Sequence, residues 1–266
     1  MVEDGPLVRR EDGEGVALLT LSSPRTRNAL SLRMIDTLIL AFADIEKDPS
    51  ISVVVVAGEG PALSAGHDLK EIQAHRAEED RGEAFFIKDM QRCAELMQAI
   101  VALPKPVIAA VEGVATAAGC QLVASCDLAV AGEEARFALP GVNIGLFCST
   151  PLVAVGRAVS RKHAMEMALT GEMIGAGRAE RIGLVNRVVA AGQAVPEALA
   201  LAKSIAARSA ATIALGKPAF YRQVETDLAD AYAIAGRTMV ENLALPDCQE
   251  GVDTFLAKRA PKWAGA

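Results

Sequence analysis

The sequence is poor in aromatic residues, in histidine and in paired cysteines, and each shortage excludes a class of protein. Phe, Trp and Tyr together make up 4% of 266 residues, too few for a platform on which nucleic-acid bases stack. The net charge of −6 at pH 7 disfavours binding to nucleic acids and other polyanions. The 3 histidines are scattered and no two cysteines have C-x-x-C spacing, so we predict no metal site.

Long hydrophobic runs are also missing. Uninterrupted apolar stretches such as Val53 to Ala57 are far shorter than the roughly 20 residues that cross a bilayer. Residues 1–15 contain several acidic side chains and no apolar segment, unlike a secretory signal. The 5 cysteines are odd in number, which indicates free thiols in a reducing compartment. These absences predict a soluble, cytoplasmic protein that binds neither a membrane nor nucleic acid.

Patterns of strand and helix alternate along the first 150 residues. Segments rich in Val, Ile and Ala predict buried strands, and the long crossovers between them indicate parallel pairing. Ser31 is predicted to cap a helix that runs to Lys47, and Asp68 to cap a short helix. After Ser149 almost all signals are helical. The predicted strands cover 16–21, 52–57, 106–111 and 127–131, and longer predicted helices cover 85–103, 160–170, 196–208 and 226–243.

Two stretches rich in Gly and Ala, Leu63 to Leu69 and Gly113 to Leu122, are the most informative feature of the chain. Each lies where a β-rich segment passes into a helix, a junction that leaves backbone N–H groups free. If the two junctions converge, they offer two donors to one oxygen. Such a pair stabilises the oxyanion or enolate of a thioester without a charged side chain.

The chain resembles the enoyl-CoA hydratase/isomerase, or crotonase, superfamily over nearly its whole length, and within it the subgroup of enoyl-CoA hydratase domain-containing proteins. The matching motifs, in the family's order, are Ser64–Lys70, Gly113–Leu122 with Cys126–Asp127, Phe137–Gly145, Gly171–Glu172, Gly183–Val185 and Phe255–Arg259. This resemblance implies an α/β fold with two roughly perpendicular sheets: a crotonase (ClpP-like) β-β-α spiral core. It places the core in residues 1–200 and a helical trimerisation region in residues 201–266.

The resemblance also implies a ligand and the residues that bind it. The backbone N–H groups of His67 and Ala118 would line the oxyanion hole, and the carbonyl of Ala65 would lie near the adenine amino group. Phe255 and Lys258 would reach the CoA of a site, often one in a neighbouring subunit. The implied ligand is an acyl-CoA or enoyl-CoA, with coenzyme A as part of the substrate and no covalently bound cofactor. The implied assembly is a homotrimer or a hexamer made of two trimers.

Gln121 and Gly141 stand where hydratases of this superfamily carry two glutamates. Those carboxylates handle water and a proton, whereas an amide accepts no proton near neutral pH and glycine has no side chain. Each missing acid or base typically lowers the rate by about 10²–10⁴-fold. We therefore expect a CoA-thioester enzyme whose hydratase activity is weak or altered, with Gln121 positioning water.

Two other functions stay open at this stage, a non-catalytic acyl-CoA-binding protein and a thioesterase-like hydrolase that uses Cys148 or Ser149. A helix cap at Ser149 or Thr150 and packing of Cys148 in the core would explain the same residues. Asn143 is a further candidate for a polar contact with the substrate.

Two further ionisable side chains lie near the loops. Glu112 would replace a missing acid only if its side chain turned inward. The imidazole of His67 is expected to be hydrated or packed, as most lone histidines are.

Overall fold

The computed structural model describes residues 5–264, which form ten strands, eleven α-helices and two 3₁₀ helices, Pro24–Thr26 and Pro140–Ile144. The strands are β1 (Val8–Gly13), β2 (Val16–Leu21), β3 (Val53–Gly58), β4 (Ala62–Ser64), β5 (Val107–Val111), β6 (Val114–Thr116), β7 (Leu128–Gly132), β8 (Arg136–Ala138), β9 (Ile174–Gly175) and β10 (Arg187–Val189). The α-helices are α1 (Leu32–Lys47), α2 (Leu69–His75), α3 (Glu83–Ala102), α4 (Ala118–Ser125), α5 (Ser149–Ala158), α6 (Arg161–Thr170), α7 (Ala176–Arg181), α8 (Ala194–Ala206), α9 (Ala210–Gln223), α10 (Leu228–Leu243) and α11 (Pro246–Leu256).

The strands form two sheets, and consecutive strands along the chain repeatedly pass from the first sheet to the second. The first sheet has the order β1-β2-β3-β5-β7-β10 and is parallel except for the β1–β2 pair. The second has the order β4-β6-β8-β9, with only β8 and β9 antiparallel. The consecutive pairs β3–β4, β5–β6 and β7–β8 each contribute one strand to each sheet, and a helix follows each pair. This β-β-α repeat confirms the predicted α/β spiral core.

Hydrophobic packing covers both faces of the first sheet. The larger cluster joins one face to α1, α3 and α4, with Phe42 and Leu96 among its buried side chains. The smaller cluster joins the opposite face to α8, whose Ala194, Ala198 and Ala202 are fully buried. Because these alanines recur every four residues, they form one stripe of the helix and allow it to approach the sheet closely.

The predicted elements are all present, with ends shifted by at most two residues. The helix caps predicted at Ser31 and Asp68 are confirmed. The Ser31 hydroxyl accepts a hydrogen bond from the Met34 amide, and the Asp68 carboxylate accepts from the amides of Lys70 and Glu71.

The C-terminal part is helical, but its first helix belongs to both predicted regions. Helix α8 crosses the boundary predicted at residue 200 and packs on the sheet. Helices α9 to α11 follow, and α10 has no buried residue in the single chain. The division into residues 1–200 and 201–266 stays a prediction.

Within residues 5–264, no single helix has both the length and the hydropathy needed to cross a bilayer. Helices α8 and α9 meet those criteria only as a pair, and they are bent by 107° at their junction.

Candidate functional site

A pocket of about 800 Å³ opens where the two Gly-Ala loops meet the segment that follows β8. Its wall is mostly apolar, which suits a ligand with a hydrocarbon portion. The lining comes from five parts of the chain: Arg25, Thr26, Arg27 and Ala29; Ala65, His67, Asp68, Leu69, Lys70 and Ile72; Met90 of α3; Ala117 and Ala118; and Pro140, Gly141, Asn143, Ile144 and Leu146 to Pro151.

The first loop joins β4 to α2 and is anchored to the segment before α1. The Ala65 amide donates to the Arg27 carbonyl at 3.0 Å, and the Leu30 amide donates to the Gly66 carbonyl at 2.8 Å. Gly66 has φ +92°, a conformation that glycine adopts without strain. The Ala65 carbonyl, which the resemblance assigns to the adenine, accepts a bond from the Thr116 hydroxyl at 3.2 Å and retains a second lone pair.

The second loop joins β6 to α4 and contains a strained residue. Ala117 has φ 50° and ψ −119°, a region that residues other than glycine rarely occupy. Such a conformation costs about 1–3 kcal/mol, so the surrounding structure must hold it in place. The Ala117 amide donates to the Ala138 carbonyl at 2.9 Å, and the chain then turns so that α4 begins at Ala118.

The two loops touch through their glycines. A Cβ built on Gly119 would lie 2.1 Å from the Ser64 carbonyl oxygen, and one built on Gly66 would lie 3.2 Å from the Ala118 nitrogen. The amides of His67 and Ala118 donate to no acceptor within residues 5–264. Both residues line the pocket, and the two loops that carry their amides are in contact.

The side chain of His67 forms a buried ion pair behind this wall. Its Nδ1 lies 3.0 Å from Asp89 Oδ2, and the side chains of His67 and Asp89 are 12% and 2% exposed. The alignment is poor for a hydrogen bond, and neither His67 Nε2 nor Asp89 Oδ1 has a hydrogen-bond partner among the described residues. Burial lowers the pKa of the imidazole, but Asp89 and then Cys93 raise it by more, and the pKa reaches about 10.

Gln121 and Gly141 lie in different surroundings. Gln121 is 4% exposed, is not among the residues that line the pocket, and has its Oε1 3.9 Å from Cys93 Sγ. Gly141 does line the pocket, but a Cβ there would lie 2.2 Å from the Leu146 carbonyl oxygen and 2.8 Å from Cys148 Sγ. The backbone therefore occupies the space that a side chain at position 141 would need. The water-positioning role of Gln121 stays a prediction.

Both candidate nucleophiles line the pocket, but within residues 5–264 neither is hydrogen-bonded to a basic side chain that would activate it. Cys148 is 6% exposed, its Sγ accepts a hydrogen bond from the Gly141 amide at 3.3 Å, and burial raises the pKa of its thiol. Ser149 is exposed, and its hydroxyl donates to the Phe147 carbonyl at 3.4 Å. Helix α5 begins at Ser149 with Cys148 as its cap residue and without a side-chain capping bond. The cap predicted at Ser149 or Thr150 is therefore wrong.

The remaining predicted residues are divided between the pocket and the surface. Asn143 is exposed and lines the pocket. Glu112 points away from it, because its Oε1 accepts from the Ala194 amide at the start of α8. Phe255 is 81% exposed, and neither it nor Lys258 lines the pocket of its own chain.

Sequence reasoning missed two features of the site. One is Asp89, an acid on the face of α3 that also buries Phe85, Cys93 and Met97. An acidic residue within an apolar helical stripe was the available signal. The other is the basic group Arg25, Arg27 and Lys70, which lines the pocket beside the first loop. The sequence does not reveal this group, because Arg27 and Lys70 are 43 positions apart and only folding brings them together.

Residues 11–266 match the family model described as enoyl-CoA hydratase/isomerase. The chain is 48% identical over 251 residues to rat (Rattus norvegicus) enoyl-CoA hydratase domain-containing protein 3, mitochondrial, covering 94% of this chain and 82% of the relative. A crystal structure of an enoyl-CoA hydratase from Mycobacterium smegmatis superposes with a TM-score of 0.92 at 51% identity, covering 97% and 99% of the two chains. Human enoyl coenzyme A hydratase domain-containing protein 3 superposes with a TM-score of 0.91 at 44% identity, covering 97% and 100%.

These comparisons also correct one expectation. The rat relative and its human counterpart are named as mitochondrial proteins. The cytoplasmic location predicted from the sequence is therefore wrong. The odd number of cysteines indicates a reducing environment, but a reducing environment does not identify one compartment.

Proposed function

Because the chain belongs to the enoyl-CoA hydratase/isomerase family, we propose that it binds a fatty acyl-CoA or enoyl-CoA and polarises the thioester carbonyl with the amides of His67 and Ala118. The observation that carries this proposal is a pair of pocket-lining residues, on two loops in contact, whose amides have no acceptor within residues 5–264. Donors fixed in this way stabilise an oxyanion strongly because they need no reorganisation during the reaction. No metal is required for this chemistry.

The basic residues at the first loop support coenzyme A as the carrier of the acyl group. Arg25, Arg27 and Lys70 line the pocket, whereas Asp68, the one carboxylate of the lining, already accepts from two amides of α2. Guanidinium and ammonium groups bind phosphate oxygens through charge-assisted hydrogen bonds. The diphosphate of CoA would lie against these three side chains, with the thioester directed towards the two loops.

The reaction is proposed to differ from efficient hydration. No carboxylate stands at position 121 or 141, and Gln121 contacts Cys93 away from the lining. Hydration needs a group that moves a proton within hydrogen-bond reach of the substrate. We therefore expect weak or altered hydratase activity, and a protein that only binds acyl-CoA is the second candidate. The raised pKa of the Cys148 thiol argues against a hydrolase that uses this residue.

The proposed assembly is a homotrimer or a hexamer of two trimers. Large apolar side chains of α10 are exposed in the single chain, including Leu228 at 75% and Tyr232 at 74%. Contiguous exposed apolar surface of this kind marks an interface with another protein. A neighbouring subunit would also explain how Phe255 and Lys258, which lie outside the pocket lining, reach a bound CoA.

The deciding experiment measures turnover of crotonyl-CoA by absorbance of the enoyl thioester, beside calorimetric binding of acetyl-CoA to the same preparation. We expect saturable binding of acetyl-CoA and a hydration rate at least about 10²-fold below that of a hydratase with both glutamates. Fast hydration would contradict the proposed role of the two replacements. Absence of binding to either ester would contradict the whole proposal.

Restoring the second glutamate is expected to damage the protein and not to activate it. In Gly141→Glu the new Cβ must displace the Leu146 carbonyl, so we expect a loss of about 1–3 kcal/mol in the free energy of unfolding and no gain in hydration. Chemical denaturation and the crotonyl-CoA assay measure both effects. Gly216→Glu is the control, because a Cβ there has nothing within 4 Å. A stable, active Gly141→Glu enzyme would show that this loop is free to open.

A further inference from the structure

The side chains of His67 and Asp89 form a buried ion pair. The proposed function uses the backbone amide of His67 but neither of these two side chains. Burying two charges is costly, and a pair with unsatisfied atoms recovers little of that cost. Asp89 Oδ1 and His67 Nε2 have no hydrogen-bond partner within residues 5–264. The pair therefore contributes weakly to stability at best.

The two members of the ion pair differ in their position relative to the pocket. His67 lines the pocket, whereas Asp89 lies behind it on α3 and is 2% exposed. The ring therefore joins a residue of the pocket lining to a carboxylate outside that lining. His67 also supplies one of the two amides of the proposed oxyanion hole, so its ring is attached to the residue that carries that donor.

The groups around the His67 imidazole favour its protonated form. The apolar setting weakens the electric field of this charge less than water would. The groups that face the ring are Asp89 and Cys93 from α3, and Cys93 contacts Gln121 of α4 in turn. Asp68, next in the chain, is occupied as the cap of α2. Besides His67 and Asp68, the titratable groups in the pocket lining are Arg25, Arg27, Lys70 and Cys148. In a buried, mostly apolar setting a fixed charge acts more strongly than it does in water.

We propose that His67, held against the buried Asp89 carboxylate, is an electrostatic positioning residue that polarises the thioester carbonyl together with the amides of His67 and Ala118. The inference rests on the proposed binding of an acyl-CoA in this pocket. It gives the site a source of positive charge for an oxyanion or enolate at a place where the family's carboxylates are missing. Asp89 acts through the ring, by keeping it protonated and in place.

The test uses acetyl-CoA labelled with ¹³C at the thioester carbonyl, which cannot be hydrated. Infrared difference spectra of the full-length protein report polarisation as a shift of the carbonyl band to lower wavenumber. We expect a clear shift for the wild type. His67→Gln keeps the backbone amide but removes the charge, and we expect it to lose at least about half of that shift while acetyl-CoA affinity stays within about tenfold.

Dependence on pH separates an electrostatic role from a structural one. The pKa of His67 is raised to about 10, so the ring is protonated below that value and the wild-type band should not change between pH 6 and 9. In Asp89→Asn the counter-charge is gone while burial still lowers the pKa of the imidazole, so this pKa falls well below that of the wild type. The band shift should then be lost as pH rises within the same range. Asp247→Asn, which removes a buried carboxylate outside the pocket lining, should behave as the wild type.

Each outcome has one meaning. No binding or no band shift in the wild type overturns the proposed function itself. The inference is overturned if His67→Gln shows the same band shift as the wild type, or if Asp89→Asn shows that shift at every pH. The proposed function is not contradicted by either result. If Asp89→Asn does not fold, His67→Gln by itself decides the matter, and thermal unfolding of all variants identifies that case.

Discussion

Replacing Asp127 by Asn is expected to lower the free energy of unfolding by about 3–5 kcal/mol, the largest effect on stability that we predict. Asp127 lies between α4 and β7. Its Oδ2 accepts from the Lys217 ammonium and from the Val107 amide, both at 2.7 Å, and its Oδ1 accepts from the Tyr221 hydroxyl at 2.9 Å. One carboxylate thus joins the start of β5 to two residues of α9.

The size of the effect follows from the burial of Lys217. Its side chain is 7% exposed, and its two other hydrogen bonds go to the carbonyls of Ile100 and Lys105. Burial lowers the pKa of this ammonium, which Asp127 opposes. Without the carboxylate, a buried cation loses its counter-charge, and the asparagine amide offers one acceptor oxygen where the carboxylate offered two.

Urea denaturation at one fixed protein concentration measures this prediction, since assembly would make stability depend on concentration. Asp36→Asn is the matched control, because Asp36 pairs with Arg92 at the surface, where its side chain is 42% exposed. Surface ion pairs contribute about 0–1 kcal/mol. If the two variants lose the same free energy of unfolding, the hydrogen bonds of Asp127 to Lys217 and Tyr221 of α9 contribute no more than a surface ion pair.

The second large effect concerns ligand binding: Gly119→Ala is expected to remove most of the carbonyl polarisation. The added methyl carbon would lie 2.1 Å from the Ser64 carbonyl oxygen and 2.9 Å from the Ser64 Cβ. Backbone atoms cannot give way as the end of a side chain can, so the two loops must separate. The geometry of the proposed oxyanion hole, formed by the His67 and Ala118 amides, would then be lost.

Loss of one oxyanion donor typically lowers a rate by about 10²–10³-fold, equivalent to roughly 2.7–4 kcal/mol, and we expect a comparable loss for any turnover of this protein. The ¹³C-carbonyl band of bound acetyl-CoA is the direct readout. Gly156→Ala makes the same chemical change in α5 with nothing within 4 Å and should leave the band unchanged. A normal band in folded Gly119→Ala would show that Ala118 is not a donor.

Much of the architecture could be predicted from local patterns. Continuous apolar runs predicted β3, β5 and β7 to within one residue, because strands buried on both faces carry no polar positions. Ser31 and Asp68 predicted their helix starts, because a cap is a contact between residues two or three apart. The second sheet left no such pattern of its own. Strands β4, β6 and β8 have three residues each, too few for a periodicity to show.

By itself the sequence determined the order of strands and helices, the two Gly-Ala loops and the presence of Gln and Gly at positions 121 and 141, since each depends on residue identity or short spacing. Only the tertiary structure decided which groups meet. It brought Gly119 against Ser64, placed Asp89 behind His67, turned Gln121 towards Cys93 and closed the space at Gly141 with the Leu146 carbonyl. The physical reason is that each of these contacts depends on how the elements pack together, and local periodicity carries no information about that packing.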